Sequence, residues 1–473
     1  MNLKLKMLLI LMLFFNFISA QTVEVSLKNL IEKSLEHSQK LNIKKAENLQ
    51  YEQDKQMAYS SYLPSVSFEG TYTYLNDEVM LPDDFNKLLM GSQALLVKEA
   101  AGIPFNTKLT PEILAALAQQ GVTLKEIPPI QGQNVLKANI SAQMVLFSGL
   151  KVPYAIKATN ELIKMTDCLS EQEKNYLVKE IVTTYDKMGV VVVSEEVLET
   201  TQHYLNEQER FVTKAIATGL ATDLDLQRIN LAKEQLKVKQ IELNASRKLL
   251  AARLSQLSGI SAQEIEAIRP VLKQFPVSDS LNTISNRIDV QALDHAILAS
   301  QYNQKIQYTE YIPKVFAFGK KELITQDLSA FDPEWYVGAG VRWTLFDKFT
   351  SHHNAQKAQL NTLILENKKD EAVELLALGM QKSKFTIEKN IQLAEVAEKE
   401  VSLAEKSYNL SLKEYQSGII SMKTHLESIN DLEKAKLNRI QAIYEQRASV
   451  IELYDVTGNL YQTAAKLLDI KQQ

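Results

Sequence analysis

The chain has 473 residues, too many for one small core. Its 53 basic and 57 acidic residues leave a formal charge of -4, which excludes the basic surface that nucleic acid demands. It holds only 15 glycines and 11 prolines, and long helices require both to be scarce.

Residues 1–20 read as a secretory signal peptide. Lys4 and Lys6 precede an apolar run from Met7 to Ile18, and Ser19-Ala20 supplies small residues before a cut at Gln21. That run is about 12 residues, short of the roughly 20 that span a bilayer. No later segment has 18 uninterrupted apolar residues, so any membrane passage must use strands. A first repeat follows over 21–260, opening with a helix from Ser26 to Tyr62. Strands are expected at about 65–75 and 135–147, with an insertion over 76–133 between them. Five prolines and four glycines give that insertion loop character, with one short helix near 111–120. A helical hairpin then covers 150–258, and 261–284 is a linker. The second repeat, 285–473, carries strands at about 314–320 and 335–346 and a hairpin over 348–457. Lys320, Lys321 and Glu322 end the apolar character of the third strand early.

The duplication rests on landmarks 199 residues apart. Val145-Leu146-Phe147-Ser148-Gly149 resembles Thr344-Leu345-Phe346-Asp347-Lys348. Gly219 falls against Gly418, and Leu257-Ser258-Gly259 against Val456-Thr457-Gly458. Tyr62-Leu63-Pro64 resembles Tyr311-Ile312-Pro313 at a wider offset, because only the first half carries the insertion. After Gly219, Ile229, Leu236, Leu243, Leu250 and Leu257 step by seven, the signature of packed helices. The matching row, Ser428, Ala435, Ala442, Ser449 and Val456, is smaller and implies a different packing.

The strands alternate strictly. Leu136, Ala138, Ile140, Ala142, Met144 and Leu146 form one apolar row; Val66, Phe68, Tyr72 and Tyr74 form another. In the second repeat the row is Trp335, Val337, Ala339, Val341, Trp343 and Leu345. A half-buried sheet in a soluble sandwich would alternate likewise. The two tryptophans favour lipid: eight residues is about 26 Å of strand, or about 20 Å after tilt, near the spacing of aromatic girdles. Tyr72 and Tyr74 are candidate girdle members with Trp335 and Trp343. Four strands cannot close a barrel, and open edges cannot sit in lipid, so several chains would have to share one barrel.

This order of elements resembles the TolC family of outer membrane factors, from about Val25 to about Tyr461. The marks are Leu63-Pro64 entering the first strand, Leu146-Phe147-Ser148-Gly149 leaving the second, and the turns at Gly219 and Gly418. The resemblance implies a mainly α fold with a small β part. It implies a homotrimer whose twelve strands form one barrel in outer-membrane lipid, above a long α-helical periplasmic tunnel. It implies an exit duct for tripartite efflux or type I secretion, partnered by a periplasmic adaptor and an inner-membrane pump, with no cofactor and no catalysis. Gly219, Gly418 and Tyr415 would lie at the periplasmic tips that meet the adaptor. Asp225, Glu427 and Lys423 are candidate gate residues. Thr424 and Ile420 stand where the family has a second acid and a basic partner, which leaves the closing salt bridge open. Asp223 can also be read as a plain helix N-cap after Thr222.

Enzyme chemistry finds no foothold. His352-His353 lacks further ligands, Gly338-x-Gly340 lacks a nucleotide-loop setting, and Cys168, the only cysteine, reads as an apolar filler. The alternative function is a periplasmic coiled-coil scaffold or adaptor that forms no pore.

Overall fold

The computed structural model describes residues 26–276, 287–325, 332–458 and 460–468. The signal peptide and the end of the 261–284 linker lie outside the described residues. The chain runs α1 (Leu27–His37), α2 (Gln39–Ser60), β1 (Ser65–Tyr74), α3 (Asp83–Ala100), α4 (Pro111–Gln119), β2 (Asn134–Phe147), α5 (Lys151–Ala217) and α6 (Asp223–Ser258). It continues through α7 (Ala262–Glu266), α8 (Ile288–Tyr308), β3 (Lys314–Glu322), β4 (Trp335–Arg342), α9 (Thr350–Gln416), α10 (Met422–Val456) and α11 (Leu460–Leu468). Two compact units divide it, and each draws on both halves of the sequence. A helical unit holds Met1–Glu52, Asn160–Ala299 and Leu360–Gln473; a strand unit holds Gln53–Thr159 and Ser300–Gln359.

Four elements differ from expectation. The opening helix is broken at Ser38, whose extended backbone and hydroxyl cap the second piece: Leu41 N–H donates to Ser38 Oγ at 3.3 Å. The insertion holds a second helix, α3, entered through Pro82 with Asp83 and Asp84 in its first turn. Strand β4 stops at Arg342, because its partner β3 begins at Lys314 and the ladder has nothing further to pair with. Strand β3, in contrast, continues to Glu322: Lys320 and Glu322 pair at 2.7 Å on its polar face.

In the helical unit, one core gathers Leu30 and Ile31 of α1, Val178, Ile181 and Met188 of α5, and Ala251 and Leu254 of α6. A second joins Leu198, Leu205 and Val212 of α5 to Ile229 and Leu236 of α6 and to Met422, Leu426 and Ile429 of α10. Each such aliphatic side chain contributes about 1.5–3 kcal/mol by leaving water. The heptad row on α6 thus faces the core at Ile229 and Leu236, with Leu243, Leu250 and Leu257 packed at its margin. A polar clamp crosses the same unit. Arg447 donates to both carboxylate oxygens of buried Asp186 at 2.8 and 2.7 Å and to the Lys273 carbonyl at 2.7 Å, and its guanidinium lies 3.7 Å from the Phe275 ring centre. Gln446 bonds both backbone groups of Phe275. The segment 267–276 is thereby strapped down, and Leu272 lies where any side chain on Gly189 would have to go.

The strand unit is built on one antiparallel meander, β1-β2-β3-β4. The register places Val66, Phe68 and Tyr72 opposite Ala142, Ile140 and Leu136, and sets Ala142 and Met144 opposite Gly319 and Ala317. Val337, Ala339 and Val341 face Gly319, Ala317 and Val315. One face of the sheet is therefore almost wholly apolar. The other carries Glu69, Lys137, Asn139, Lys320 and Arg342, with Phe316 and Phe318 lying over Gly340 and Gly338. A Cβ at Gly340 would meet the Phe316 ring at 2.6 Å, so these glycines make room for rings rather than for a nucleotide.

Candidate functional site

Among the described residues, nothing covers the apolar face of the sheet. Val66, Phe68, Tyr72, Tyr74, Trp335, Val337 and Val341 are all exposed, Val337 at 76 %. Soluble proteins seldom leave so large an apolar patch in water. Among the described residues, strands β1 and β4 are both open edges of the sheet, with unpaired backbone groups along each. Tyr72, Tyr74 and Trp335 share that face near one end of the strands, where Trp335 pairs with Lys321 and Tyr72 with Leu136. Trp343 lies just past the opposite end, and its indole N–H donates to the Tyr311 carbonyl at 3.1 Å. The ring sits at the expected end, although the strand does not extend that far.

The strand-to-helix junctions explain the sequence landmarks. Tyr62 Oη lies 3.0 Å from Ser148 Oγ, and the Ser148 hydroxyl accepts from Val152 N–H at the start of α5. In the second half, Tyr311 Oη donates to Asp347 at 3.1 Å, and Asp347 accepts from Ser351 N–H at 2.8 Å. Gly149 and Leu150 are left-handed, as are Lys348 and Phe349. Three of these four are not glycine, an uncommon backbone for such residues. Gly149 is also tight, with a Cβ there 3.1 Å from the Ile312 carbonyl.

The helical turns are built alike. Gly219 and Gly418 have φ of 77° and 73°, which only glycine adopts without strain. The cap of α6 is Thr222, not Asp223. Asp225 N–H donates to Thr222 Oγ1 at 3.3 Å, and the Asp225 carboxylate accepts from Thr222 N–H at 3.2 Å and from its hydroxyl at 2.7 Å. Arg228 stands 3.6 Å from the same carboxylate. The corresponding cap of α10 is Ser421, with Thr424 in place of the acid. Lys423 meets Glu427 at 3.9 Å along one exposed face of α10, a pair worth little in water.

Tyr415 is held within the hairpin rather than displayed beyond it. Its ring stacks on His425 with centroids 5.6 Å apart and contacts Phe211 edge-on at 5.8 Å. Burial and the nearby Asp225 charge raise its phenol pKa. Tyr408 stacks on the other side of His425 and on Tyr204, and burial pushes its phenol up to about 12. His425 is 0 % exposed, lies 2.9 Å from Ser411 Oγ through Nδ1, and has no partner for Nε2; burial lowers its pKa to about 4. Nothing in the sequence pattern marks this column of rings, because its members come from three helices. His352 and His353 pack ring to ring at 5.7 Å, and among the described residues no group of three or more His, Cys, Asp or Glu could hold a metal. Among the same residues, no helix is long and apolar enough to cross a membrane.

Residues 281–459 match the family model described as outer membrane efflux protein. No curated protein matches the chain. Among solved structures, the outer membrane protein VceC of Vibrio cholerae is 13% identical, with a TM-score of 0.70 over 91% of this chain and 96% of that one. The Campylobacter jejuni channel CmeC is 13% identical, with a TM-score of 0.71 over 93% and 88%. The open state of the Neisseria gonorrhoeae channel MtrE is 14% identical, with a TM-score of 0.65 over 92% and 89%. The outer membrane efflux protein pattern thus lies across residues 281–459, in the second half of the chain, and the fold over about nine-tenths of its length is the one seen in these channel structures.

Proposed function

We propose that the chain is one protomer of an outer membrane exit duct, and that three copies join their four-stranded sheets edge to edge into a single twelve-stranded barrel. The observation that carries this reading is the sheet itself: two open edges and one bare apolar face. Neither is tolerated in lipid unless the barrel is closed, and neither is favourable in water. In this arrangement Tyr72, Tyr74 and Trp335 form the outer girdle, and Trp343 the inner one. The polar face, with Glu69, Lys137 and Lys320, lines a water-filled passage. The helical segments extend into the periplasm, where a periplasmic adaptor docks at the Gly219 and Gly418 turns beside Tyr415 and an inner-membrane pump supplies the energy. The matched lengths of α5 and α9, both 67 residues, support an internal duplication.

The test is to extract the mature chain in detergent. Trimer migration that is lost on heating, together with conductance in planar bilayers, is the expected outcome. A water-soluble monomer without conductance would mean a periplasmic scaffold instead. For the gate, Asp225→Asn separates two roles. Increased leak of a large antibiotic such as vancomycin supports a carboxylate that holds neighbouring tips together, alongside Glu427 and Lys423. Unchanged leak leaves Asp225 as a helix cap only.

A further inference from the structure

We infer that α3, the long helix of the insertion, packs against its counterparts in neighbouring copies and closes the outer mouth of the duct. The inference rests on the channel reading above. Helix α3 presents Phe85, Leu88, Leu89, Leu95 and Leu96 on a single face, with small Ser92 between them, and all of these are exposed. The steps of three and four residues make a stripe about 120° wide, the width a helix turns toward a core. The opposite side, through Met90, Ala94 and Val97, is already half-buried within its own chain. A helix with two apolar sides, one covered and one bare, is built for a partner.

Three features identify that partner as another copy of this chain. The first is placement. The β1–β2 pairing runs on past the strands: Leu75 N–H donates to the Gln133 carbonyl at 2.8 Å, Val79 N–H to the Gln131 carbonyl at 2.9 Å, and Ile130 N–H to the Val79 carbonyl at 2.8 Å. The helix is thus tied to the end of the sheet away from the Tyr62–Ser148 junction. The second is continuity. Copies that pair β4 with the next β1 bring one α3 each to the same rim, so the bare stripes come together as an extension of the edge-to-edge interface. The third is charge. Residues 76–133 hold seven acidic and four basic side chains, and α3 opens with Asp83-Asp84. Such a segment is repelled by the anionic headgroups of an outer leaflet, whereas a dry contact between stripes leaves the acids in water.

Cross-linking reads this directly in the full chain inserted in membranes. In a Cys168→Ser background, which removes the only native thiol, Leu88→Cys treated with a short bismaleimide should give linked dimers and trimers. Lys87→Cys, on the far side of the helix, should give few. Leu88→Asp combined with Leu96→Asp should raise single-channel conductance several-fold while trimers persist, with Leu88→Ala as the milder version. If the unmutated chain forms no trimer, the channel reading fails. If trimers form but Leu88→Cys does not link and conductance is unchanged, this inference alone fails. A dye on Leu88→Cys that reports lipid contact, without linkage to a second chain, would place α3 on the membrane surface and also overturn it.

Discussion

Helices α5 and α9 are the same length, occupy the same place in their halves of the chain, and meet opposite fates. Both run 67 residues, and their starts, Lys151 and Thr350, are 199 positions apart. Helix α5 is largely inside, with Val178, Ile181, Met188, Leu198, Leu205 and Val212 in the cores of the helical unit. Helix α9 displays Leu375, Leu378, Phe385, Leu393, Val396, Leu403 and Leu410 to solvent. The shorter hairpin helices are reversed. Helix α10 buries Met422, His425, Ile429, Leu432 and Gln446, whereas α6 exposes Leu231, Val238, Ile241 and Leu249. At equivalent positions Asp186 is 0 % exposed and Phe385 is 71 % exposed. The comparison teaches that the absence of breakers sets how long a helix grows, while its surroundings decide which residues it can carry. A charge is tolerated inside where Arg447 meets it, and a phenylalanine outside marks a surface that the proposed assembly would cover.

The largest expected effect is at the buried position. Arg447→Ala strands the Asp186 carboxylate, whose pKa burial already pushes upward, and should cost about 3–5 kcal/mol in chemical denaturation. Replacing both partners with apolar residues should cost much less, and an equal loss would refute the clamp. The exposed position comes next. If a neighbouring copy covers α9, Phe385→Ala should destabilise the assembled protein by about 3 kcal/mol. A change within about 0.5 kcal/mol would mean that α9 truly faces water, and the comparison would lose its meaning.

Acid probes α10 against its polar partners. His425 stays neutral in the fold down to about 4, whereas its ordinary value is 6.5. The unfolded chain takes up that proton first, so stability is full above 6.5, falls as the pH drops through this window, and levels off below it. The loss should approach about 3 kcal/mol. His425→Phe should remove that part of a thermal-stability profile against pH, and an unaltered profile would exclude the imidazole. The smallest effect distinguishes the two turns. Thr222→Ala breaks a reciprocal cap and should cost about 1 kcal/mol, somewhat more than Ser421→Ala, whose helix has no carboxylate reaching back.

Much of this was legible from local pattern. The glycine turns, the breaker-free stretches and the period-two rows of the strands each depend on a few neighbouring residues, and periodicity reports such features well. Helix α3 was obscured by the prolines and glycines around it, including Gly91 in its interior. The break at Ser38 depends on one hydroxyl. The landmark residues were visible, but not why they occur: Tyr62 and Ser148 meet across 86 residues, and no window spans that distance. The Asp186–Arg447 clamp joins positions 261 apart, and the ring column about His425 draws on three helices. Such contacts belong to the tertiary fold, where a lone histidine or aspartate in a helical stretch looks like any solvated residue.

The unpaired flanks of β1 and β4 carry a consequence for the life of the molecule in its compartment. A solitary copy offers hydrogen-bonding templates on two sides and grease on a third, so it is as ready to join a stranger as a sibling. If copies assemble as proposed, folding is inseparable from abundance: the yield of closed barrels should climb steeply with synthesis rate at first, and chaperones that shield newly made copies should matter most when those copies are few.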